Sequence, residues 1–334
     1  MVLTPSELLK SEAPARRPVI VMSEGHDPRI VAGSLVAAQS GLADIILVGD
    51  QAEVQAELTK AGGADVPSIA IHDPATSDMT PDLAELFFQL RQHKGITPEL
   101  AQQAAHDPLI YAALLVRAGH ADGTVGGAVT TTSDVVRAAL QVIGKAPDAA
   151  LVSSFFLMYP PQTAPKGARA MLYSDCGLVI DPSAQDLAAI AAISATSFQA
   201  LMRKDPKIAM LSFSTKGSAS HPAVTKVSDA TEIVRQSHPN LSVDGDLQFD
   251  AAFVPSVGRS KAPDSDVAGA ANVMIFPNLD AGNIGYKITQ RLGGYTAIGP
   301  VLQGLTKPAN DLSRGCVAED VTEMIAVTAL QALA

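Results

Sequence analysis

The sequence predicts an α/β fold with two α/β/α domains built on mainly parallel sheets. Short apolar runs rich in β-branched residues alternate with longer helical patterns along the 334 residues. These runs lack an apolar–polar alternation, which is typical of strands covered on both faces. The length suggests about two domains at roughly 150 residues each. Because hydrophobic residues make up 47% and charged residues 17%, a mostly disordered chain is excluded.

The first part of the chain contains four apolar runs, each separated from the next by longer segments. Strands are expected over Val19–Met22, Ile45–Val48, Ser68–Ile71 and Thr124–Val125. Helical patterns between or after them cover Asp27–Ser40, Asp82–Gln92, Asp107–Ala118 and Ser133–Ile143. A boundary is expected at Lys145–Ala149, where a Gly-Lys-Ala-Pro-Asp segment separates a helix from the next strand.

The second part repeats this rhythm. Strands are expected over Ala150–Met158, Ala170–Tyr173, Ile208–Phe213, Ala251–Val254 and Val273–Phe276. Helices are expected over Ala184–Arg203, Ala223–Ser237, Asn283–Arg291 and Asp320–Leu333, with a second boundary near Gly293-Gly294. Apolar residues of the last helix are suited either to a dimer contact or to the core, and we favour the core.

Charge and composition exclude several functional classes. The net charge of −10 argues against nucleic-acid or anionic-membrane binding. Ser and Thr residues interrupt the longest weakly polar stretch, Asp186–Met202, so it predicts a buried helix and no membrane span. Two cysteines suit a reducing cytoplasm and cannot form a four-cysteine zinc site. No pair among the seven histidines has metal-ligand spacing on one helix.

Three loops rich in glycine or hydroxyl groups follow predicted strands: Gly123–Thr132, Ser212–Ser218 and Asp280–Tyr286. In parallel sheets, ligands bind beyond the carboxyl ends of strands, and free amides at a helix start attract anions. The loops therefore hint at a phosphate or oxyanion site, although tight turns and helix caps explain each loop equally well. The substrate-binding candidates here are Gly127, Thr130, Ser214, Lys216 and Asn283.

Arginines form the second group of candidates, because the chain has few cations. Arg314 follows Ser313 in a turn-like stretch, a pair suited to holding a tetrahedral or phosphoryl oxyanion. Arg91 ends a predicted helix and Arg137 lies within one, where complementing the helix dipole or an exposed charge are simpler explanations. Asp320 begins the last helix and is equally explained as a helix N-terminal charge.

Taken in order, these residues resemble the phosphate acetyltransferase (phosphotransacetylase) family over essentially the whole chain. The resemblance is densest in Met210–His221 (MLSFSTKGSASH) and Ala271–Gly315, which ends in NDLSRG. It implies the reaction acetyl-CoA + phosphate ⇌ acetyl phosphate + CoA, with coenzyme A as a substrate and neither a cofactor nor a metal. It also implies a homodimer and a catalytic-only chain.

The resemblance further implies the domain arrangement and the roles of individual residues. The first domain would comprise 1–148 plus 296–334 and the second 149–295, with the active site in the cleft between them. Asp320 would be the base for the CoA thiol, Ser313 a hydrogen-bond donor to the tetrahedral intermediate, and Arg314 a ligand of phosphate or the oxyanion. Arg91 and Arg137 match arginines associated with CoA in the family, a role suited to guanidinium groups.

Two positions depart from the family pattern. Ala270 stands where a lysine is frequent, which removes a cation, and Val317 replaces a serine that would cap the last helix. The alternatives are a phosphate butyryltransferase, a non-catalytic acetyl-CoA-binding regulatory module and a decarboxylating dehydrogenase. The dehydrogenase has the least support, because the chain contains no GxGxxG dinucleotide motif.

Overall fold

The computed structural model describes residues 3–164 and 167–334. Within these ranges the chain forms two compact units. The first unit contains Leu3–Pro147 and Leu305–Ala334, and the second contains Asp148–Gly304. Both are α/β units, as the alternation of strand and helix patterns predicts.

Eleven strands form within the described residues. In chain order they are β1 (Val19–Met22), β2 (Asp44–Val48), β3 (Ile69–His72), β4 (Gly123–Gly126), β5 (Ser153–Tyr159), β6 (Met171–Ser174), β7 (Lys207–Leu211), β8 (Ser242–Leu247), β9 (Val273–Ile275), β10 (Thr296–Gln303) and β11 (Ala309–Asp311).

The helices are numbered in the same way. They are α1 (Pro5–Glu12), α2 (Pro28–Gln39), α3 (Gln51–Lys60), α4 (Thr80–Arg91), α5 (Pro98–Ala104), α6 (Pro108–Arg117), α7 (Thr132–Ala138), α8 (Ala184–Met202), α9 (Pro222–Ser237), α10 (Phe249–Phe253), α11 (Pro255–Lys261), α12 (Leu279–Arg291) and α13 (Ala318–Leu333).

The first unit is built on a fully parallel sheet with the strand order β11-β4-β1-β2-β3. Helix starts are marked by residues whose side chains accept hydrogen bonds from free amides, such as Asp27 before Pro28 and Asp107 before Pro108. Helix α13 packs against α2 so closely that a Cβ at Gly33 would lie 2.6 Å from the carbonyl oxygen of Ala318. Glycine is thus required at this helix crossing.

The second unit is built on a mixed sheet with the order β10-β5-β6-β9-β7-β8. Strands β6, β9, β7 and β8 are parallel, whereas β10 and β5 add an antiparallel edge. The two mainly parallel sheets confirm the predicted fold class.

The predicted strand over Ala251–Val254 is wrong. Most of this segment belongs to helix α10, and the strand is β8, several residues earlier. Strand β8 has the sequence SVDGDL, and its two aspartates make it unlike the apolar runs that predict strands. Both carboxylates are buried, and each has partners that compensate for its burial. Asp244 forms ion pairs with Lys216 and Arg235. Asp246 accepts a hydrogen bond from the amide of Gly217.

Strand β10 also differs from expectation. The expected first domain resumed at residue 296, but Thr296–Gln303 pairs antiparallel with β5 in the second unit. The return to the first unit begins at Leu305. Strand register, which depends on partners distant in sequence, decides this difference.

The last helix contributes to the core of the first unit, as we favoured. Met324, Ile325 and Leu330 are buried, and α13 packs on α1, α2 and β4. The predicted buried helix over Asp186–Met202 lies within α8, which has a mostly buried face. In the part of the chain that the structure describes, no helix is long and apolar enough to cross a membrane.

Candidate functional site

Three neighbouring strands of the first unit end at the same edge of its sheet. In the register, Met22 of β1 lies beside Val125 of β4, and Gly126 of β4 lies beside Asp311 of β11. The segments that follow these strands therefore meet at one edge, where ligands of parallel sheets commonly bind. Among the predicted site residues, this edge holds Gly127, Thr130, Ser313, Arg314 and Asp320.

Ser313 and Arg314 lie on an exposed turn after β11. The turn is closed by the amide of Cys316, which donates to the carbonyl of Ser313 at 2.9 Å, and by the amide of Gly315, which donates to Ser313 Oγ at 3.2 Å. Among the residues described, none accepts a hydrogen bond or forms an ion pair with the Arg314 guanidinium. The turn thus offers a hydroxyl hydrogen and a cation to a ligand.

Asp320 lies in the first turn of α13 and is partly buried. Its Oδ2 accepts a hydrogen bond from the amide of Val317 at 3.0 Å, the reciprocal half of a capping box. Val317 has no hydroxyl to supply the other half. Burial raises the pKa of the neighbouring Cys316 thiol and the charge of Asp320 raises it further, while Arg29 lowers it. The carboxylate thus serves the helix start and also lies close enough to influence a thiol.

The glycine loop after β4 differs from the anion site that we expected. Glu24, a buried residue that follows β1, accepts hydrogen bonds from the amides of Ala128 (2.7 Å), Val129 (3.1 Å) and Thr130 (2.8 Å). The Thr130 hydroxyl donates to the same carboxylate at 2.7 Å. Since an internal carboxylate occupies these donors, the expected role of Thr130 as an anion ligand is not supported by the geometry.

Gly127 has a steric role in the same loop. Its φ of 96° favours glycine, and a Cβ there would lie 2.0 Å from Asp311 Oδ1. The loop after β4 and the end of β11 therefore approach more closely than any side chain at this position would allow.

Asp311 is a buried carboxyl at the end of β11. Its Oδ2 accepts a hydrogen bond from the Thr132 hydroxyl at 2.6 Å, while Oδ1 is buried without a hydrogen-bond partner among the described residues. Burial and the nearby Glu24 charge raise the pKa of Asp311 to about 7, although the bond from Thr132 opposes this shift. Asp311 is therefore partly protonated near neutral pH.

Arg29, in the first turn of α2, connects two of the loops. Its guanidinium donates to the carbonyl of Ala128 at 2.8 Å and to the carbonyl of Arg314 at 2.7 Å. Asp27 holds the same guanidinium through Nε at 3.0 Å and Nη2 at 2.8 Å. This hydrogen bonding holds the pKa of the Asp27 carboxyl below its usual value.

The two other predicted arginines lie on helices of the first unit. Arg137, in the last turn of α7, is largely exposed and forms an ion pair with Asp134 at 2.6 Å. Arg91 ends α4, which packs against the helical turn that continues α7. Within the described ranges, no residue forms a hydrogen bond or an ion pair with the Arg91 side chain.

In the second unit, Ser214 and Lys216 follow β7 at the carboxyl edge of the sheet. Ser214 Oγ accepts a hydrogen bond from the amide of Ala219 at 3.1 Å and so closes its own loop. Lys216, at a φ of 52°, forms an ion pair with Asp244. Both side chains thus maintain the loop, and their expected substrate contacts have no direct support in this geometry.

Asn283 lies near the start of α12, beyond the end of β9. Its Nδ2 donates to the carbonyl of Cys176 at 3.0 Å. The adjacent Asp175 is buried and accepts hydrogen bonds from the amides of Gly177 (2.8 Å) and Leu178 (2.9 Å). Asn283 therefore has a structural partner in the segment that follows β6.

The sequence reasoning missed the side chains that organise the first-unit edge: Glu24, Asp27, Arg29 and Asp311. The segment SEGHDPR follows an apolar strand and carries an Asp-Pro helix start, so its position was a usable signal. The glycine-rich sequence of the loop after β4 indicates free amides, but it does not reveal that the Glu24 carboxylate accepts their hydrogen bonds. In the described ranges, no group of three or more His, Cys, Asp or Glu residues is arranged to hold a metal ion.

Comparison with known proteins identifies the family of this chain. A family model described as "Phosphate acetyl/butaryl transferase" matches residues 6–329. This chain belongs to that family. The phosphate acetyl/butaryl transferase membership confirms the resemblance seen in the sequence, and it makes the chain an acyltransferase.

Several relatives match this chain over nearly their full length. A phosphate acetyltransferase from Paracoccus denitrificans is 45% identical, over 98% of this chain and 99% of its own length. A phosphotransacetylase structure from Streptococcus pyogenes has a TM-score of 0.89 at 45% identity, covering 97% of both chains. One from Staphylococcus aureus has a TM-score of 0.88 at 42% identity, covering 98% of both chains.

Proposed function

We propose that this protein is a phosphate acetyltransferase that transfers an acetyl group reversibly between coenzyme A and inorganic phosphate. The observation that carries the proposal is the exposed Ser313–Arg314 turn at the edge of a parallel sheet, which presents a hydroxyl and a guanidinium that pairs with none of the described residues. The full-length likeness to phosphate acetyltransferases gives that turn its chemical context.

In the proposed reaction, the thiol of CoA attacks the carbonyl carbon of acetyl phosphate. Asp320 takes the thiol proton, the new carbon–sulfur bond forms a tetrahedral intermediate, and the carbon–oxygen bond to phosphate then breaks. Ser313 donates a hydrogen bond to the oxyanion, and Arg314 balances the charge of the phosphate that leaves. Positioning both substrates supplies about 7–11 kcal/mol in favourable cases.

Proton transfer is the demanding step. An ordinary thiol titrates about 4–5 pKa units above an ordinary aspartate, so the transfer costs roughly 6 kcal/mol. A cation beside the sulfur reduces this cost, because it stabilises the thiolate. Arg314 lies six residues before Asp320 and is suited to balance negative charge as it moves from sulfur to phosphate.

Arg91 and Arg137 are proposed to bind the phosphate groups of CoA. Both lie on packed helical elements of the first unit, and a guanidinium keeps its charge at any working pH. Binding of a polyanion by local arginines is needed here, because the chain as a whole has a net charge of −10.

The remaining proposals concern the state of the protein. We propose a cytoplasmic homodimer that uses no metal or redox cofactor and binds neither nucleic acid nor membrane. Light scattering on the purified chain tests the oligomer, and turnover after dialysis against a chelator tests the metal. A monomer, or activity lost to the chelator and restored by a metal ion, would contradict the corresponding proposal.

The decisive experiment follows the release of free thiol from acetyl-CoA with and without phosphate. Wild type and Ser313→Ala are compared with Ser237→Ala, which removes a hydroxyl at the exposed end of α9. We expect phosphate-dependent release in wild type and the control, and a large loss of kcat in Ser313→Ala. Release that does not depend on phosphate would reject the transferase, and binding without turnover would favour the regulatory module.

The family description also covers butyryl transfer, so the acyl group needs a separate measurement. A pocket distinguishes each added methylene by only about 1–3 kcal/mol. We expect a higher kcat/KM for acetyl-CoA than for butyryl-CoA, with activity on propionyl-CoA in between. A preference for butyryl-CoA would change the proposed substrate and leave the reaction type intact.

A further inference from the structure

We propose that Arg29 is a positioning residue that holds the Ser313–Arg314 turn in its reactive place by joining it to the loop after β4. This inference rests on the proposed function for its kinetic consequence, although its structural part can be tested without activity. It assigns a role to a side chain whose hydrogen bonds to the turn go to backbone carbonyls.

All five N–H groups of the Arg29 guanidinium are engaged. Nε and one N–H of Nη2 bind the Asp27 carboxylate, and the second N–H of Nη2 binds the carbonyl of Ala128. Nη1 binds the carbonyls of Arg314 at 2.7 Å and Cys316 at 3.4 Å. Since an arginine has five donors and no acceptor, none remains for a phosphate oxygen. Arg29 therefore acts on other residues and does not bind the substrate.

Asp27 anchors this guanidinium to the start of α2. Its Oδ1 accepts from the backbone amide of Arg29 at 2.9 Å as well as from Nε, so one carboxylate fixes both the helix start and the side chain. A bidentate arginine–carboxylate pair restrains the guanidinium plane. The direction from which the three carbonyls are bound is therefore set by a helix and not by a mobile side chain.

The loop on the other side of Arg29 is itself restrained. The amide of Ala128 donates to Glu24 at 2.7 Å, while the carbonyl of the same residue accepts from Arg29. The segment after β1 thus forms hydrogen bonds with both the amide and the carbonyl of Ala128. Arg29 transfers that restraint to the turn after β11, whose own closing bonds are local ones between Ser313, Gly315 and Cys316.

The restraint has a mechanistic consequence. Transition-state stabilisation by Ser313 and Arg314 depends on their position, and a displacement of about 1 Å at a reacting group costs roughly 100-fold in rate. Loss of Arg29 is therefore expected to lower kcat, while CoA, which Arg29 does not contact in this proposal, keeps its affinity.

The test compares Arg29→Lys with Arg16→Lys. Arg16 forms an equally bidentate pair with Asp122, with two 2.7 Å bonds, but Asp122 lies just before β4, at the opposite end of that strand. We expect Arg29→Lys to lower kcat roughly 10- to 100-fold with the KM for CoA changed less than about threefold. We expect faster amide hydrogen exchange in peptides covering 312–318. Arg16→Lys should change neither quantity.

Asp27→Asn provides a second variant that keeps Arg29 and a good helix cap but weakens the anchor. It should change kcat and exchange at 312–318 in the same direction and to a smaller extent. Unchanged exchange in this segment in both variants, or a loss of activity confined to the KM for CoA, would overturn the proposal. If the wild type shows no phosphate-dependent turnover, the proposed function fails, and the exchange measurement still decides the role of Arg29.

Discussion

Five arginines of the first unit fall into two groups according to what their guanidinium groups bind. The N–H groups of Arg29 all bind a carboxylate or carbonyls of the protein, and Arg16 forms a bidentate pair with Asp122. Arg314 and Arg91 have no such partner among the described residues, and Arg137 has one exposed ion pair. An exposed ion pair contributes little, so Arg137 can exchange it for a phosphate. The second group contains the arginines that we propose as anion ligands.

Replacing Arg91 or Arg137 by Ala should mainly raise the KM for CoA. Loss of a hydrogen bond to a charged group costs about 1.5–3 kcal/mol, which corresponds to roughly 10- to 100-fold in KM. Initial rates at varied CoA concentration measure the effect. Arg17→Ala is the control, because Arg17 forms a comparable exposed pair with Asp44. An unchanged KM in both site variants would leave these arginines as structural charges.

Asp320 accepts a hydrogen bond at the start of α13 and is also the proposed base, and a pair of substitutions can separate these two roles. Asp320→Asn keeps an oxygen that can accept from the Val317 amide, but it removes the carboxylate that would act as base. We therefore expect kcat to fall by about two or more orders of magnitude, as is typical when a general base is lost. Its melting temperature should change little. Asp320→Ala should lose the same activity and also about 1 kcal/mol of stability with the cap. Near-normal turnover in Asp320→Asn would contradict the assignment as base.

Asp311 makes the stability of the first unit depend on pH. Its pKa is about 7 in the folded chain and near 3.9 in an unfolded one, so folding favours the protonated form. Its contribution is complete below about pH 4, falls as the pH rises towards 7, and is constant above that.

Asp311→Asn should therefore gain stability relative to wild type as the pH rises from 4 to 8, by up to about 4 kcal/mol. Chemical denaturation of both proteins at several pH values measures this difference. The exposed Asp78→Asn serves as a control for general charge effects. A difference between Asp311→Asn and wild type that does not vary with pH would show that Asp311 is ionised throughout.

At the scale of elements, the edge of the first sheet works as three segments joined by few polar contacts. The segment after β1 supplies Glu24 for the amides of the next loop and Arg29 for the carbonyls of two loops. The strands that precede these two loops are short, since β4 has four residues and β11 has three. The arrangement explains why a glycine-rich loop suited to an anion holds a carboxylate of its own chain.

Gly127→Ala should lower the stability of the first unit by more than the cost of placing alanine at a positive φ. The positive φ costs about 1 kcal/mol for a non-glycine residue, and the added Cβ collides with Asp311 and with the backbone of Leu312. Gly119→Ala is the control, since Gly119 has a φ of 84° with no atom within 4 Å of its Cβ position. Thermal unfolding should show a larger loss for Gly127→Ala, and equal losses would refute the close approach.

At the scale of the whole molecule, the two units differ in how the chain builds them. Asp148–Gly304 is continuous, whereas the first unit needs Leu305–Ala334 to supply the edge strand β11 and helix α13. Met324, Ile325 and Leu330 of α13 are buried there. The first unit is therefore incomplete until the end of the chain has been added.

A fragment of residues 148–304 should fold cooperatively, and a fragment of 3–147 should not. The second fragment exposes the surface that α13 covers and leaves β4 without its partner β11. Circular dichroism during thermal unfolding measures both. Addition of a peptide spanning 305–334 should restore a transition to 3–147. Cooperative unfolding of 3–147 alone would contradict this view of the unit.

The sequence alone determined the α/β class, most strands and helices, the burial of the last helix and the family, because apolar runs, helix caps and long motifs are local signals. Only the tertiary structure decided three other features. It identified β8 as a strand despite its carboxylates, assigned Thr296–Gln303 to the second sheet, and placed Glu24 on the amides that we expected to bind phosphate. Each of these depends on partners distant in sequence, and a buried polar group reveals its role only through the partner that satisfies it.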